Sequence, residues 1–252
     1  MMAGSVSSEA AFDQIASRYD DLWTNTNVGR LQRRAVWRHV DPLFPEGARV
    51  IDLGCGTGED ARHLSRAGIG VEAFDASPEM VRVARERGVE ANVLAIEDLS
   101  SIEGAFDGAI SNFGALNCVG DLNRLRLPMN RLIRPGGYLA ICVMGRFCLW
   151  ETIHFLARGQ VRNAWRRWGG VSGSASLHLP VFYPTVGQIR RAFAPGFLLV
   201  KAVGIGVCVP PSHVPPLAGR LLARFDALDR TIAHRPLFRA FSDHRLLVFV
   251  RK

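Results

Sequence analysis

The chain has 252 residues, of which 48% are hydrophobic, 9% aromatic and 21% charged, a profile that supports a full buried core and excludes disordered, collagen-like and small disulfide-rich proteins. Its formal net charge of +8 is unevenly spread: residues 1–145 hold 15 basic and 19 acidic side chains, residues 146–252 hold 16 and 4, and only Lys201 and Lys252 are lysines. No window approaches the ~18 apolar residues of a membrane span, the N-terminus lacks the basic and apolar regions of a signal peptide, and the five cysteines show no C-x-x-C spacing, so a cytoplasmic protein with reduced thiols and no metal site is expected.

Apolar residues at Phe12, Ile15, Ala16, Tyr19, Leu22 and Trp23, and again at Leu31, Ala35 and Val36 beyond a polar break at Thr24 to Asn27, have helical spacing, so two helices are predicted before the first strand. Pro42, Pro45 and Gly47 then punctuate the chain, and residues 48–53 read as a short apolar strand ending in an acid. Helices over 58–67 and 78–87 and strands over 71–74 and 91–95 alternate as βα units do, which predicts an open parallel sheet. A strand over 107–111, a helix over 122–133 and a strand over 137–143 continue it, with Pro135-Gly136-Gly137 as a hard stop and turn. Beyond residue 145 the texture changes to arginine, tryptophan and glycine, and the stretch to Pro184 reads as a lid with a helix over 149–164 and a small-residue loop over 169–176. A helix over 185–193 and strands over 197–203 and 246–250 resume the sheet around a proline-punctuated helical excursion over 210–241. The expected division is therefore 1–46 as capping helices, 47–145 as a ligand-binding core, 146–184 as a lid, and 185–252 as the remaining strands.

In an open α/β sheet ligands bind beyond the carboxyl ends of the strands, and Asp52-Leu53-Gly54-Cys55-Gly56-Thr57-Gly58 stands at such an end. Glycines there admit close backbone approach, and the following helix aims free N–H groups at the ligand. Asp75, 21 residues after Gly54, can take two ribose hydroxyls. Glu59 stands where a dinucleotide fingerprint requires its third glycine, and a pyrophosphate is disfavoured beside Asp52, Glu59 and Asp60. A ligand without phosphate and with an ammonium fits better, and S-adenosylmethionine is one. The bland alternatives are a glycine turn that only links strand to helix, Asp75 as a helix cap, and Tyr19 and Phe113 as core aromatics.

The segments VIDLGCGTG, FDASPEM, FDGAISNFGALN and LIRPGGYL, in that order and spacing, resemble the class I S-adenosylmethionine-dependent methyltransferases over roughly residues 10–145. The run Phe12-Asp13-Gln14-Ile15-Ala16-Ser17-Arg18-Tyr19-Asp20 is similar to the N-terminal motif of the small-molecule branch of ubiquinone/menaquinone type. The resemblance implies a Rossmann-like doubly wound sheet, mostly parallel with an antiparallel last strand, carrying a helical lid. It further implies that Gly54, Cys55 and Gly56 line the methionine moiety of the cofactor, with Asp52 near its ammonium, and that Asp75 holds the ribose. Ala76 and Met80 would cover the adenine, Asn112 and Phe113 would sit near the methionine chain and sulfonium, and Tyr19 would close the site. Ala95 replaces an acid the family often uses for the adenine amino group, which passes that contact to the Ile96 backbone with Glu97 or Asp98 nearby.

Methyl transfer requires alignment of donor and nucleophile, and a base only where the nucleophile carries a proton. The lid offers Glu151, His154, His178 and Tyr183, with Glu151 foremost because it follows the fifth strand where the pocket should open. Phe147, Trp150 and Phe155 with the apolar stretch 197–211 suggest a greasy acceptor pocket, hence a hydrophobic small molecule, lipid-like or a secondary metabolite, methylated on O, N or C. The C-terminal arginines suit an anionic membrane or an anionic substrate. Nucleic acid is disfavoured, since Ser111-Asn112-Phe113-Gly114 lacks an N-P-P-Y type motif. Competing readings are an RNA methyltransferase, a non-catalytic cofactor-binding partner protein, and a nicotinamide oxidoreductase.

Overall fold

A computed structural model describes residues 8–173, 179–212, 214, 215 and 217–252. The strands are β1 (Arg49–Leu53), β2 (Gly70–Asp75), β3 (Ala91–Val93), β4 (Phe106–Ser111), β5 (Ile133–Met144), β6 (Val171–Gly173), β7 (Pro180–Phe182), β8 (Phe197–Ile205) and β9 (His244–Arg251). Seven of them form one sheet in the order β3-β2-β1-β4-β5-β9-β8, in which β9 runs antiparallel to both β5 and β8 and the other pairings are parallel. β6 and β7 form a separate antiparallel hairpin.

Side-chain alternation explains why the central strands read as continuously apolar. Ile51, Leu53, Leu139, Ile141, Leu247 and Phe249 enter one core layer, whereas Val50, Ala140, Cys142, Leu246 and Val248 enter the other, as a sheet covered on both faces requires. The helices are α1 (Ser8–Asp13), α2 (Asn27–Val40), α3 (Glu59–Arg66), α4 (Pro78–Glu86), α5 (Arg126–Leu132), α6 (Leu149–Leu156), α7 (Val161–Ala164), α8 (Val186–Phe193), α9 (Gly219–Ile232) and α10 (Pro236–Arg239). Local chemistry sets several starts: the side chains of Thr26, Ser77 and Thr185 accept from Gly29, Met80 and Gln188 N–H, and Thr185 with Gln188 completes a capping box.

The structure differs from the sequence expectation in four places. The first helix is broken into α1, a 3-10 turn at Ala16–Arg18 and a π turn at Asp20–Thr24, which brings Phe12 and Tyr19 to the cavity described below and Trp23 onto Phe113. Pro135 to Gly137 does not stop a strand: Ile133 pairs with Phe106 and Tyr138 with Gly108, so the intervening residues bulge from a continuous β5. The helix expected over 149–164 is two, α6 and α7, parted by a turn at Gly159. The loop expected over 169–176 opens with β6, and its residues 174–176 lie outside the described residues.

Candidate cofactor site

β1, β2 and β4 end side by side, and beyond their carboxyl ends lies a cavity of about 220 Å³. Gly54 and Cys55 N–H both donate to the Phe74 carbonyl, at 2.8 and 3.0 Å, folding the glycine turn back onto β2. Gly54 has φ +71°, and a Cβ there would lie 2.2 Å from the Ala115 Cβ, so no other residue fits. Asp75 is fixed by the same turn: its Oδ2 accepts from Gly56 N–H at 2.8 Å and its Oδ1 from Ser77 N–H at 2.9 Å. Burial pushes its carboxyl above the usual carboxylate range, opposed by those two N–H groups.

The N-terminal segment is tied over this turn by two aspartates. Asp13 accepts from Ser77 Oγ at 2.5 Å and Glu79 N–H at 3.1 Å, and Asp20 accepts from Thr57 Oγ1 at 2.8 Å and pairs with Arg87. Phe12 and Tyr19, each one residue before an anchoring acid, line the cavity. The repeat of an aromatic–aspartate pair seven residues apart is the sequence signal that marks Phe12, although only Tyr19 is nominated from sequence.

At the end of β4 the buried amide of Asn112 faces the cavity, and neither its Oδ1 nor its Nδ2 has a hydrogen-bond partner among the described residues. Phe113 adopts φ +53°, a strained conformation for a bulky side chain. Its ring meets Trp23 at 4.5 Å and the Arg33 guanidinium at 5.0 Å. Behind it, Arg33 Nη1 donates to Asp60 Oδ2 at 2.5 Å, while Arg33 Nε, Asp52 Oδ2 and Thr24 Oγ1 are buried without partners among the described residues. Burial pushes the Asp52 carboxyl well above its ordinary range, with Asp60 adding to the shift and Arg33 opposing it. Two carboxylates against one guanidinium leave this region short of a cation, which an ammonium would supply.

Of the residues nominated for the cofactor, Tyr19, Gly54, Gly56, Asp75, Ala76, Met80, Ile96, Glu97, Asn112 and Phe113 come together on the cavity wall. Asp52, Cys55 and Asp98 do not: Asp52 lies buried behind it, the Cys55 thiol turns to the Gly56 carbonyl, and Asp98 is exposed. Cys118, Met144, Leu179 and Val181 also line it without having been nominated. The hairpin residues Leu179 and Val181 carry no motif that could have flagged them. Burial pushes the Cys118 thiol up to about 11 and the Cys55 thiol well above its usual value, so neither is a thiolate near neutral pH.

The acid–base candidates fall elsewhere. Glu151 is 2% exposed and accepts from Arg166 Nε and Nη2 at 2.9 and 3.0 Å and from Arg167 Nε and Nη2 at 3.0 and 2.5 Å. Arg167 Nη2 also bonds Asp243 Oδ1 at 3.0 Å. Glu151 therefore ties α6 to the Arg166–Arg167 segment from within, and its expected place at a pocket mouth is corrected. His154 lies against Arg158 on α6, and the Tyr183 hydroxyl meets Ser172 Oγ at 3.1 Å beside a second cavity of about 500 Å³ that also holds Arg146 and Arg191. His178 lies outside the described residues. The expected greasy pocket is likewise corrected: Phe147 packs on Trp168 and Phe241, and Trp150 donates to the Cys208 carbonyl and packs on Phe225, all away from the cavity wall.

Comparison with known proteins agrees with this geometry. Residues 51–141 match the methyltransferase domain family. An uncharacterised protein of Methanocaldococcus jannaschii is 31% identical over 160 residues, covering 62% of this chain and 60% of that protein. A demethylmenaquinone methyltransferase of Clavibacter sepedonicus is 36% identical over 140 residues, covering 53% of this chain and 56% of the relative. The chain thus spans less than two thirds of the length of these relatives. Among solved structures, an S-adenosylmethionine-dependent methyltransferase of Thermotoga maritima, described as a possible histamine N-methyltransferase, superposes with a TM-score of 0.62 at 18% identity, covering 97% and 99% of the two chains, which shows the shared fold.

Proposed function

We propose, from the premise that residues 51–141 are a methyltransferase domain, that the cavity holds S-adenosylmethionine and that the protein methylates a small hydrophobic acceptor. The observation that carries this reading is the buried Asn112 amide, which faces the cavity with neither polar atom partnered among the described residues, beside an Asp75 carboxylate fixed by two N–H groups. A ribose and the amino acid end of the cofactor would supply partners to both. In this reading Asp75 orients the ribose, Met80, Ile96 and Glu97 surround the adenine, Asn112 meets the amino acid end, and Asp52, buried behind the wall, favours the ammonium through its charge.

The cofactor supplies a methyl carbon activated by an adjacent sulfonium. The chain's task is then to align the acceptor opposite that carbon and exclude water. Phe12 and Tyr19 close the cavity from the N-terminal side, and Met144, Leu179 and Val181 close it from β5 and the hairpin. These apolar walls support a hydrophobic acceptor, and the similarity to a demethylmenaquinone methyltransferase makes a quinone precursor the first to screen. The same arrangement supports the four-part division of the chain, with residues 146–184 as a lid that reaches the cavity through its hairpin.

Calorimetric titration with S-adenosylmethionine, S-adenosylhomocysteine and NADH tests the reading. Micromolar binding of the first two without NADH is expected. Binding of NADH alone would replace the proposal with an oxidoreductase.

A further inference from the structure

We infer that the outer surface of α6 and α7 is a docking surface for an anionic lipid bilayer. The argument begins with a helix built inside out. α6 buries Glu151 and Thr152, whereas Leu149, Ile153 and Leu156, at positions i, i+4 and i+7, are 37%, 51% and 45% exposed. An amphipathic helix of a globular domain normally turns such a stripe to the core. The stripe continues over α7 and its exit with Val161, Trp165 and Trp168 at 57%, 44% and 55% exposure, and the two tryptophan rings meet edge to face at 5.2 Å, held at the surface rather than tucked under it.

Charge identifies the occupant. The only acids between residues 146 and 252 are Glu151, Asp226, Asp229 and Asp243, and all are buried, at 2%, 6%, 7% and 5% exposure. Of the 16 basic residues of this half, Arg167 is buried with Glu151 and Asp243, and the others meet solvent with no exposed carboxylate side chain among them. Arg158 and Arg162 are exposed beside the apolar stripe. Aliphatic residues, tryptophans and arginines on one face match the interface of an anionic membrane, where the apolar groups enter the headgroup boundary and the cations meet lipid phosphate. A nucleic acid would use the arginines and tryptophans but would leave Leu149, Ile153 and Leu156 in water. The lid's hairpin links the two regions, with Leu179 and Val181 on the cavity and Val171 51% exposed. This surface stands whether or not the cavity transfers a methyl group.

The test is co-sedimentation of the whole chain with phosphatidylcholine vesicles, with and without phosphatidylglycerol. Binding only to the anionic vesicles, weakened by salt, is expected. Ile153→Asp and the pair Arg158→Ala/Arg162→Ala should each reduce partitioning by about tenfold or more, with circular dichroism and S-adenosylmethionine affinity unchanged. Equal binding to both vesicles, or indifference to Ile153→Asp, would overturn the inference. So would absence of vesicle binding together with self-association that Ile153→Asp abolishes, or with tight binding of single-stranded RNA. Failure to bind S-adenosylmethionine alongside normal vesicle binding would count against the proposed function alone.

Discussion

Removal of the Asp75 carboxylate tests the site at its most constrained point. Both of its oxygens already accept a backbone N–H, from Gly56 at 2.8 Å and from Ser77 at 2.9 Å, so its remaining lone pairs point to the cavity. A hydrogen bond to a charged group contributes about 1.5–3 kcal/mol, and about 1.4 kcal/mol is tenfold in Kd. Loss of one ribose contact in Asp75→Ala thus predicts about tenfold weaker S-adenosylmethionine binding, and loss of two about 150-fold or more. Asp75→Asn should rescue little. An amide offers one acceptor oxygen, so its NH2 must oppose the N–H of either Gly56 or Ser77, and the turn itself is disturbed. The assay is calorimetric titration with S-adenosylhomocysteine, with thermal melts to confirm folding. An Asp75→Asn protein that binds like the unaltered chain, or an Asp75→Ala protein within about twofold of it, would refute the assignment.

Gly54→Ala should abolish cofactor binding and lower the melting temperature, since its Cβ would meet Ala115 at 2.2 Å; Gly56→Ala, where a Cβ meets nothing within 4 Å, should carry only the φ +53° strain of about 1–2 kcal/mol, and an equal effect of the two would contradict the close approach. Glu151→Ala leaves Arg166 and Arg167 short of a buried partner and should cost about 3–5 kcal/mol, or about 6–20 °C in Tm, with cofactor affinity intact well below the melt; an unchanged Tm with transfer lost would restore Glu151 as a base. Burial raises the Asp52 pKa in the folded protein, so the cofactor-free fold binds more protons than the unfolded chain just above the ordinary carboxylate value and loses stability as pH rises through that window. An ammonium ligand favours the ionised form, so binding should release protons and strengthen with pH there, and Asp52→Asn should flatten the dependence. Titrations in buffers of different ionisation enthalpy measure this, and a pH-independent affinity of the unaltered chain would count against Asp52 as the ammonium partner.

The alternating strands and the glycine turn were legible because their signals are local. A short apolar run ending in an acid marks β1, a continuous one over residues 138–144 marks β5, and the spacing of Gly54 and Asp75 places a turn and an acid at neighbouring strand ends. What was not legible depends on partners far along the chain. Glu151 follows β5 and looks like an acid at a pocket mouth, but Arg166 and Arg167, 15 and 16 residues later, turn it inward. Periodicity reveals the stripe of Leu149, Ile153 and Leu156 but not which side of α6 faces the core. Arg33 was missed for the same reason: nothing in its local sequence shows that α2 carries it between Asp60 and the Phe113 ring.

The charge imbalance was visible in the sequence, yet its meaning depends on where the acids go. Glu151 and Asp243 are bound to Arg167, Asp226 to Arg230 and Arg38, and Asp229 accepts from the N–H groups of Val207, Cys208 and Val209. Buried ion pairs add little net stability over apolar packing, so stability alone does not account for placing carboxylates there. Their structural consequence is different. A helix that shows its apolar stripe to solvent forgoes most of the burial energy that ordinarily holds a helix on a domain, and some other contact must fasten it. The bonds from Glu151 to Arg166 and Arg167, and from Arg167 to Asp243 at the start of β9, fasten α6 from its polar side. The helix is thus held by charge from beneath, which leaves Leu149, Ile153 and Leu156 on its outer face.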